Sequence, residues 1–476
     1  MATINTNVQA LTAQSHLRKA HSDLQLSLER LASGLRINRG ADDPAGLIVS
    51  EYLRAEVAAV GQAIDNTQRA SLVISTAEGA LNEVAALLID IQDLVVEAAN
   101  RGAMSDEEIR ANQLQIDSAV DSITRISNTT TFAGRKLING ELDYVLSGVA
   151  WSAMPALQVH QAQFGTRDYI PVEVEVTQSA QKAGLYFTSA QISAPVTIEL
   201  AGNTGMVSLS FISGTAASAI AAAINVVSDA TGVSAVASST GFRLQSAGYG
   251  SDQWISVRAL PNDEGGTMDM VDADGAQVER DYGQDAAATI NGADSIGSGL
   301  NLILNTATLD IDLTLDDNFG VGTTSFAITG GGMLFQVGPD VNTNLQVNIG
   351  IQSMAANRLG TQGIGFLSQI VTGGEYSLVA GGEDLTSQNI VNEAIRQVSV
   401  TRGRLGAFER NTLQTNVNQL QITFENLTSS ESAIRDTDFA EETSRLTRAQ
   451  ILVAAANSVL SIANTTPQNV LALLGG

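Results

Sequence analysis

Residues 73–98 read VISTAEGALNEVAALLIDIQDLVVEA, and their spacing decides the fold. Val73, Ala77, Ala80, Val84, Leu87, Ile91, Leu94 and Ala98 alternate steps of four and three, a heptad seam held over nearly four repeats. At 1.5 Å per residue such a helix is about 40 Å long. Asn100-Arg-Gly102 stops it, and Ser105-Asp106-Glu107-Glu108 opens another helix with a capping pattern. Ile109, Asn112, Ile116, Ala119, Ile123 and Ile126 carry the same spacing onward.

Similar stripes lie outward at both ends of the chain. Leu17, Leu24, Leu28, Leu31 and Leu35 form one near the start, and Leu413, Val417, Leu420, Phe424 and Leu427 another near the end. Leu446, Ala449, Val453, Ala456, Leu460 and Ala463 make a strict seam, which Pro467 is expected to close. Between Phe132 and Ser387 the period changes. Val172–Val176, Val196–Leu200, Val207–Phe211 and Leu309–Leu315 alternate as half-buried strands do, with one helix at 215–227 and a last strand pair at 333–337 and 345–351. The fold class is therefore α+β: paired terminal helices forming coiled-coil and rod domains, with a β-rich insert displayed from them. Ile451-Leu-Val-Ala-Ala-Ala456, Val459 and Ile462 place apolar groups on more than one face of the last helix. A two-helix hairpin cannot bury them, so the sequence points to other chains as their cover.

The 476 residues carry 25 Lys+Arg against 50 Asp+Glu, a net charge of −25, which argues against nucleic acid as a partner. No cysteine excludes disulfides, thiolate metal sites and thiol nucleophiles. His16, His21 and His160 are the three histidines, and aromatic residues are 4% of the chain. No catalytic constellation, cofactor motif or metal set emerges, and no enzyme is expected. Asp272-Ala-Asp274-Gly275 hints at a calcium loop, but Met270 and Asp281 stand where Asp and Glu are needed. The first residues show neither a basic nor an apolar leader, so a cleaved signal peptide is not expected. The longest uncharged stretch, Leu200–Ser228, is broken by Gly202, Gly205 and Gly214 and rich in Ser and Thr, so no membrane span is expected there. Charge is partitioned: residues 1–40 sum to +3 (5 − 2), and residues 176–325 sum to −12 (4 − 16). An acidic exterior suits a polymer whose outer surfaces must not adhere, though an ordinary solvated acidic surface accounts for the charge equally well.

Several motifs resemble those of bacterial flagellin. They are Ile4-Asn-Thr-Asn7, Ser33-Gly-Leu-Arg-Ile-Asn38, Ala41-Asp-Asp-Pro-Ala-Gly-Leu47, Ala77-Glu-Gly-Ala-Leu-Asn-Glu83 and Thr131-Phe-Ala-Gly-Arg-Lys-Leu137. At the other end stand Ser432-Ala-Ile-Arg-Asp-Thr-Asp-Phe-Ala-Glu-Glu442 and Pro467-Gln-Asn-Val-Leu-Ala-Leu-Leu474. In the middle, Ala219–Asn225, Gly241–Ala247 and Tyr249–Asp252 resemble an insertion module of some flagellins and hook-associated proteins. The Asp-Asp-Pro turn admits two readings, a helix start with Asp43 as cap and Pro44 first, or an added role in subunit contact.

The resemblance implies a filament subunit, with a hook–filament junction protein as the alternative. It implies three domains: 1–40 with 434–476 (inner), 41–175 with 326–433 (rod), and 176–325 (outer insert, one or two parts). Leu24, Leu28, Leu31, Leu35, Leu446, Ala449, Val453, Ala456, Leu460 and Ala463 would assemble the inner domain. Val73, Val84, Leu87, Ile91, Leu94, Leu413, Val417, Leu420 and Phe424 would pack the rod. Implied partners are the chain itself, an export chaperone, and cap and hook-junction proteins, with an extracellular location reached by type III export. Enteric flagellins engage a host Toll-like receptor through the helix corresponding to 73–98. Here Asp90 replaces a key arginine, Gln92 a second basic position and Gln115 a glutamate, so weak receptor binding is expected.

Overall fold

The structure, a computed structural model, describes the chain except residues 1–5, 239, 261–266, 307, 381–383 and 475–476, with no side chains described from 467 onward. The Ile4-Asn5 opening and the side chains of Pro467–Leu474 thus lie outside the described residues.

Contacts divide the chain into two compact units: Met1–Arg69 with Val337–Val341 and Thr412–Gly476, and Ala70–Gln336 with Asn342–Asn411. The 69/70 border falls inside a long helix and the 411/412 border inside a π-helical stretch, whereas the sequence reading drew its inner junctions at 40/41 and 433/434.

The first unit is helical. α1 (Val8–Ser33) ends at Gly34, whose φ of 75° is a left-handed cap that favours glycine. α2 (Pro44–Ala98) begins here and continues into the second unit. The Asp43 carboxylate accepts from the Gly46 N–H at 2.9 Å, so Asp43 and Pro44 take the cap and first positions expected of them.

In the second unit, α3 (Asp106–Thr129) starts with a complete capping box between Ser105 and Glu108. α3 leads to a two-stranded turn, β1 (Thr131–Phe132) with β2 (Arg135–Lys136). β3 (Tyr144–Ser147), β4 (Ala156–Ala162), β5 (Ile170–Gln178), β6 (Gly184–Phe187), β7 (Val196–Gly202) and β8 (Met206–Phe211) follow. Next come α4 (Ala217–Val226), the single turn α5 (Ser228–Thr231), β9 (Val233–Ser238), β10 (Gly241–Ser246) and β11 (Trp254–Leu260). β12 (Arg280–Tyr282), β13 (Ala287–Ile290), β14 (Ala293–Asp294), β15 (Ile296–Ser298), β16 (Asn301–Asn305), β17 (Leu309–Thr314) and β18 (Gly322–Gly331) complete the insert. β19 (Met333–Gln336) and β20 (Gln346–Ile349) form the expected last pair, and β21 (Gly360–Thr361) meets β22 (Gly365–Phe366).

The β-rich region holds two separate cores, the first of which takes in residues on both sides of the 175/176 and 325/326 borders. Sheets β14-β13-β5-β18-β3 and β15-β16-β17-β4 enclose one, around Val174, Ile290, Ile311 and Ile328. Sheets β6-β10-β9 and β12-β11-β7-β8, with α4, enclose the other, around Leu185, Ile198, Ile224 and Leu244. The first core's central pair, β5 with β18, runs across residues 175/176 and 325/326.

α6 (Asp384–Phe408) passes through a π-helical stretch, Glu409–Gln414, into α7 (Thr415–Arg435). α8 (Phe439–Leu474) runs past Pro467, so the expected stop does not hold. A proline removes one backbone donor, which a long helix tolerates at the expense of a kink. Among the described residues two helices are long and apolar enough to cross a membrane, in α2 and over Phe439–Thr466 of α8. Inside the chain only 33% and 11% of their apolar windows are buried.

Candidate assembly interface

In the first unit α1 lies against α8. Ala13, Ala20 and Ser27 are buried on α1, with Leu24 and Leu31 half-buried between them; Ala449 and Ala463 are buried on α8, with Leu446, Val453, Ala456 and Leu460 half-buried. The buried positions on both helices are small residues (Ala13, Ala20, Ser27, Ala449, Ala463), which permits close approach of the two backbones. Leu28 does not join this seam: it is 49% exposed, because the heptad runs through Ser27 instead. Leu35 is half-buried beyond the helix end, bridged to Asp436.

Register comes from polar contacts. The Asn7 amide donates to the Ala463 carbonyl at 2.7 Å. Arg30 reaches the buried Glu442 carboxylate at 3.7 Å, and the Arg36 and Thr437 amides donate to the Arg435 and Gly34 carbonyls. In the connecting turn the Asp42 carboxylate accepts from the Arg39 and Asn38 amides, and those donors hold it below the usual carboxylate range despite desolvation.

What this pairing leaves open is large. Val8, Leu11, Leu28, Ile451, Leu452, Val459 and Ile462 are all exposed. The same holds beside the α2–α7 cluster, where Val60, Ala63 and Leu420 are buried together. There Val417 is buried, but Phe424, expected to pack the rod, touches Gly61 with one ring edge and remains 38% exposed, and Ile48, Tyr52 and Ile422 face solvent. Leu413 is buried.

In the second unit α2 buries Ile74, Ala77, Leu81, Val84, Leu88, Ile91, Val95 and Ala98. Val73, Val84 and Ile91 are thus inside as expected, whereas Leu87 and Leu94 are only half-buried. Neighbouring apolar pairs (Leu87-Leu88, Leu94-Val95) fit either side of the stripe, and packing chose the second member. Gln113 of α3 was not found by sequence reasoning, since a glutamine gives no periodic signal. Its buried amide donates to the Ile370 carbonyl at 2.9 Å and to Asp117, and accepts from Leu378 N–H and the Ser377 hydroxyl. Asp90 and Gln115 are exposed, and Gln92 donates to Asn392 of α6 at 2.8 Å.

Arg404 of α6 clamps two insert carboxylates, Asp310 and Asp312, at 2.8 Å each, and His160 Nε2 lies 3.1 Å from Asp312. Burial raises the Asp312 pKa, but His160 and Arg404 more than offset it and hold the group low. Asp272 spends its carboxylate on the Asp274 and Ala276 amides, a turn rather than a calcium loop. Among the described residues no cluster of three His, Asp or Glu side chains could hold a metal.

The chain matches the bacterial flagellin N-terminal helical region over residues 4–143, the bacterial flagellin C-terminal helical region over 388–474, and the flagellin hook IN motif over 195–247. The chain belongs to the bacterial flagellin family. Among full-length relatives, polar flagellin F of Vibrio parahaemolyticus is 28% identical and flagellin A of Vibrio anguillarum 29%, each over 99% of both chains. Solved structures similar to this flagellin include the flagellar cap protein FliD of Escherichia coli (18% identity, 47% of this chain and 64% of that one, TM-score 0.28). Another is FlgL of Xanthomonas campestris (11% identity, 80% and 99%, TM-score 0.26). Scores this low leave the fold assignment to the flagellin's own elements.

Proposed function

We propose that this flagellin is the structural subunit of the bacterial flagellar filament, polymerising with copies of itself outside the cell to drive swimming. The observation that carries the reading is the open apolar surface of α8, of which the chain itself buries so little. Exposed apolar surface of this extent on a helix stripe marks an interface, and copies of the same chain cover it rather than lipid. Most of a helix's stability in a protein comes from packing its apolar face, so on this proposal the terminal pair becomes ordered as it joins the filament. A low-copy hook-junction role is the second reading, favoured by nothing in the structure.

The finer parts belong to the same proposal. The α1–α8 pair forms the inner layer (1–40 with 434–476), the α2, α3, α6 and α7 helices the rod (41–175 with 326–433), and the insert (176–325) the outer layer. The continuity of β5 and β18 supports drawing that outer border to include both strands whole. Leu24, Leu31, Leu446, Ala449, Val453, Ala456, Leu460 and Ala463 carry the inner contact. Export unfolded, with a chaperone, and capping by cap and junction proteins fit helices that need neighbours. Secretion without a cleaved leader is read by N-terminal sequencing of sheared filaments. The exposed Asp90 supports weak engagement of the host receptor.

Seeded polymerisation of purified chain tests the reading. Short filament fragments should elongate when monomer is added, and a chain lacking residues 439–474 should not add to them. Failure of the intact chain to elongate seeds sinks the proposal.

A further inference from the structure

The uncharged stretch Leu200–Ser228 is an anomaly in an insert of net charge −12 (4 − 16). In the fold it contains β8, Met-Val-Ser-Leu-Ser-Phe, the terminal strand of the β12-β11-β7-β8 sheet. The pairing register fixes which of its backbone groups are free. Gly202 N–H donates to the Gly205 carbonyl across the hairpin turn, and Leu200 faces Val207, Ile198 faces Leu209 and Val196 faces Phe211. In an antiparallel ladder these residues exchange hydrogen bonds with β7, and the alternate ones point their N–H and C=O groups away from it. Those are Met206, Ser208 and Ser210, all three exposed. Leu209 and Phe211 turn inward onto the core.

Natural edge strands are blunted by charge, proline, shortness or a cover. Several other edges here are blunted, and the uncharged β3 is shorter, at four residues. On β9 the Asn225 amide takes both the Ala235 carbonyl and N–H, at 2.9 and 2.7 Å. β12 is three residues with Arg280 and Asp281, and β14 and β15 are two and three residues. β4 is met by the Gly350 amide at His160. β8 has six residues, no charge, no proline and no glycine, and Ile212 just beyond it is 77% exposed. Such a segment is a template for strand addition.

We propose that β8 joins the insert of one copy to the insert of a second copy, strand against strand, antiparallel and centred on Ser208. The symmetry is in the register: free groups at 206, 208 and 210 map onto 210, 208 and 206 of the second copy, the self-complementary contact of a local two-fold. Charge selects the same occupant. Two acidic modules meet without stripping water from carboxylates only where both are uncharged, and β8 offers that place. The proposal rests on the filament reading for its supply of copies at high local concentration.

The chain has no cysteine, so Ser208→Cys supplies a single thiol. Facing residues of a hydrogen-bonded antiparallel pair lie about 5.5 Å apart at Cα, within disulfide range. Oxidised Ser208→Cys filaments should run as disulfide dimer, whereas Ser234→Cys on the covered β9 edge should remain monomer. Monomer at both positions, or equal dimer at both, overturns the proposal. Should Ser208→Cys not assemble, hydrogen exchange on unaltered filaments decides. Slowing at Met206, Ser208 and Ser210 relative to free monomer supports the contact, and unchanged rates refute it. Ser208→Pro, which removes a donor facing away from β7, should abolish that slowing. If the unaltered chain makes no filaments, the filament reading fails separately, and cross-linking of concentrated Ser208→Cys monomer then decides by dimer or none.

Discussion

The Asn7 side chain ties the two ends of the chain together: its amide donates to the Ala463 carbonyl at 2.7 Å while its carbonyl oxygen caps α1 at the Ala10 N–H, 3.0 Å away. One half-buried residue thus sets both the start of α1 and its register on α8. Asn7→Ala should cost about 1–2 kcal/mol, the worth of a lost cap and one further hydrogen bond. Filaments of this variant should depolymerise at lower temperature, as read by light scattering.

Leu460 is half-buried on the α8 seam, flanked by Ala456 and Ala463. Leu460→Asp would place a carboxylate on that seam, where desolvating it costs several kcal/mol. Filaments should disappear from cells while monomer accumulates in the medium, as electron microscopy and blotting would show. Normal filaments would refute the heptad reading of α8.

Arg404 is the partner of two carboxylates at once. Replacing it with Gln leaves Asp310 and Asp312 with orphaned negative charge and should cost about 2–4 kcal/mol, at the low end of a broken buried pair because all three retain some solvent. The pH dependence has a definite sign. Asp312 is held below its ordinary value, so its contribution is complete above the unfolded carboxylate range, roughly pH 4, and lost as pH falls through the folded pKa. Thermal melts should therefore separate the two proteins at pH 7 and bring them together in acid.

Gln113 satisfies groups on three residues of the 370–378 loop. Gln113→Leu keeps bulk but strands the Ile370 carbonyl and Leu378 N–H, a loss of about 2–3 kcal/mol. The denaturation midpoint of the monomer should fall accordingly.

Asp90 is exposed on α2. Purified monomer should stimulate the host flagellin receptor weakly, and Asp90→Arg should raise the response in a reporter assay. Strong stimulation by the unaltered chain would refute the charge argument.

Much of this was legible in the sequence because long periodic segments announce themselves. The α8 seam, the Asp43 cap, the Ser105 capping box and the strands at 196–200, 207–211 and 309–315 follow from spacing and local chemistry. Where two apolar residues adjoin, as Leu87 and Leu88 do, periodicity cannot choose which turns inward. Leu28 misled for the opposite reason: the seam position next to it is a serine. Long-range pairings left no local trace. The meeting of β4 with β17 and the Arg404 clamp depend on chain segments far apart, and no window of sequence contains both partners.

Electron microscopy of material sheared from cells whose sole flagellin is this chain bears most directly on the filament reading. Long, regular helical filaments composed of the 49.6 kDa chain are expected. Cells that secrete the chain yet carry only hooks, or filaments built without it, would show that it is not the filament subunit.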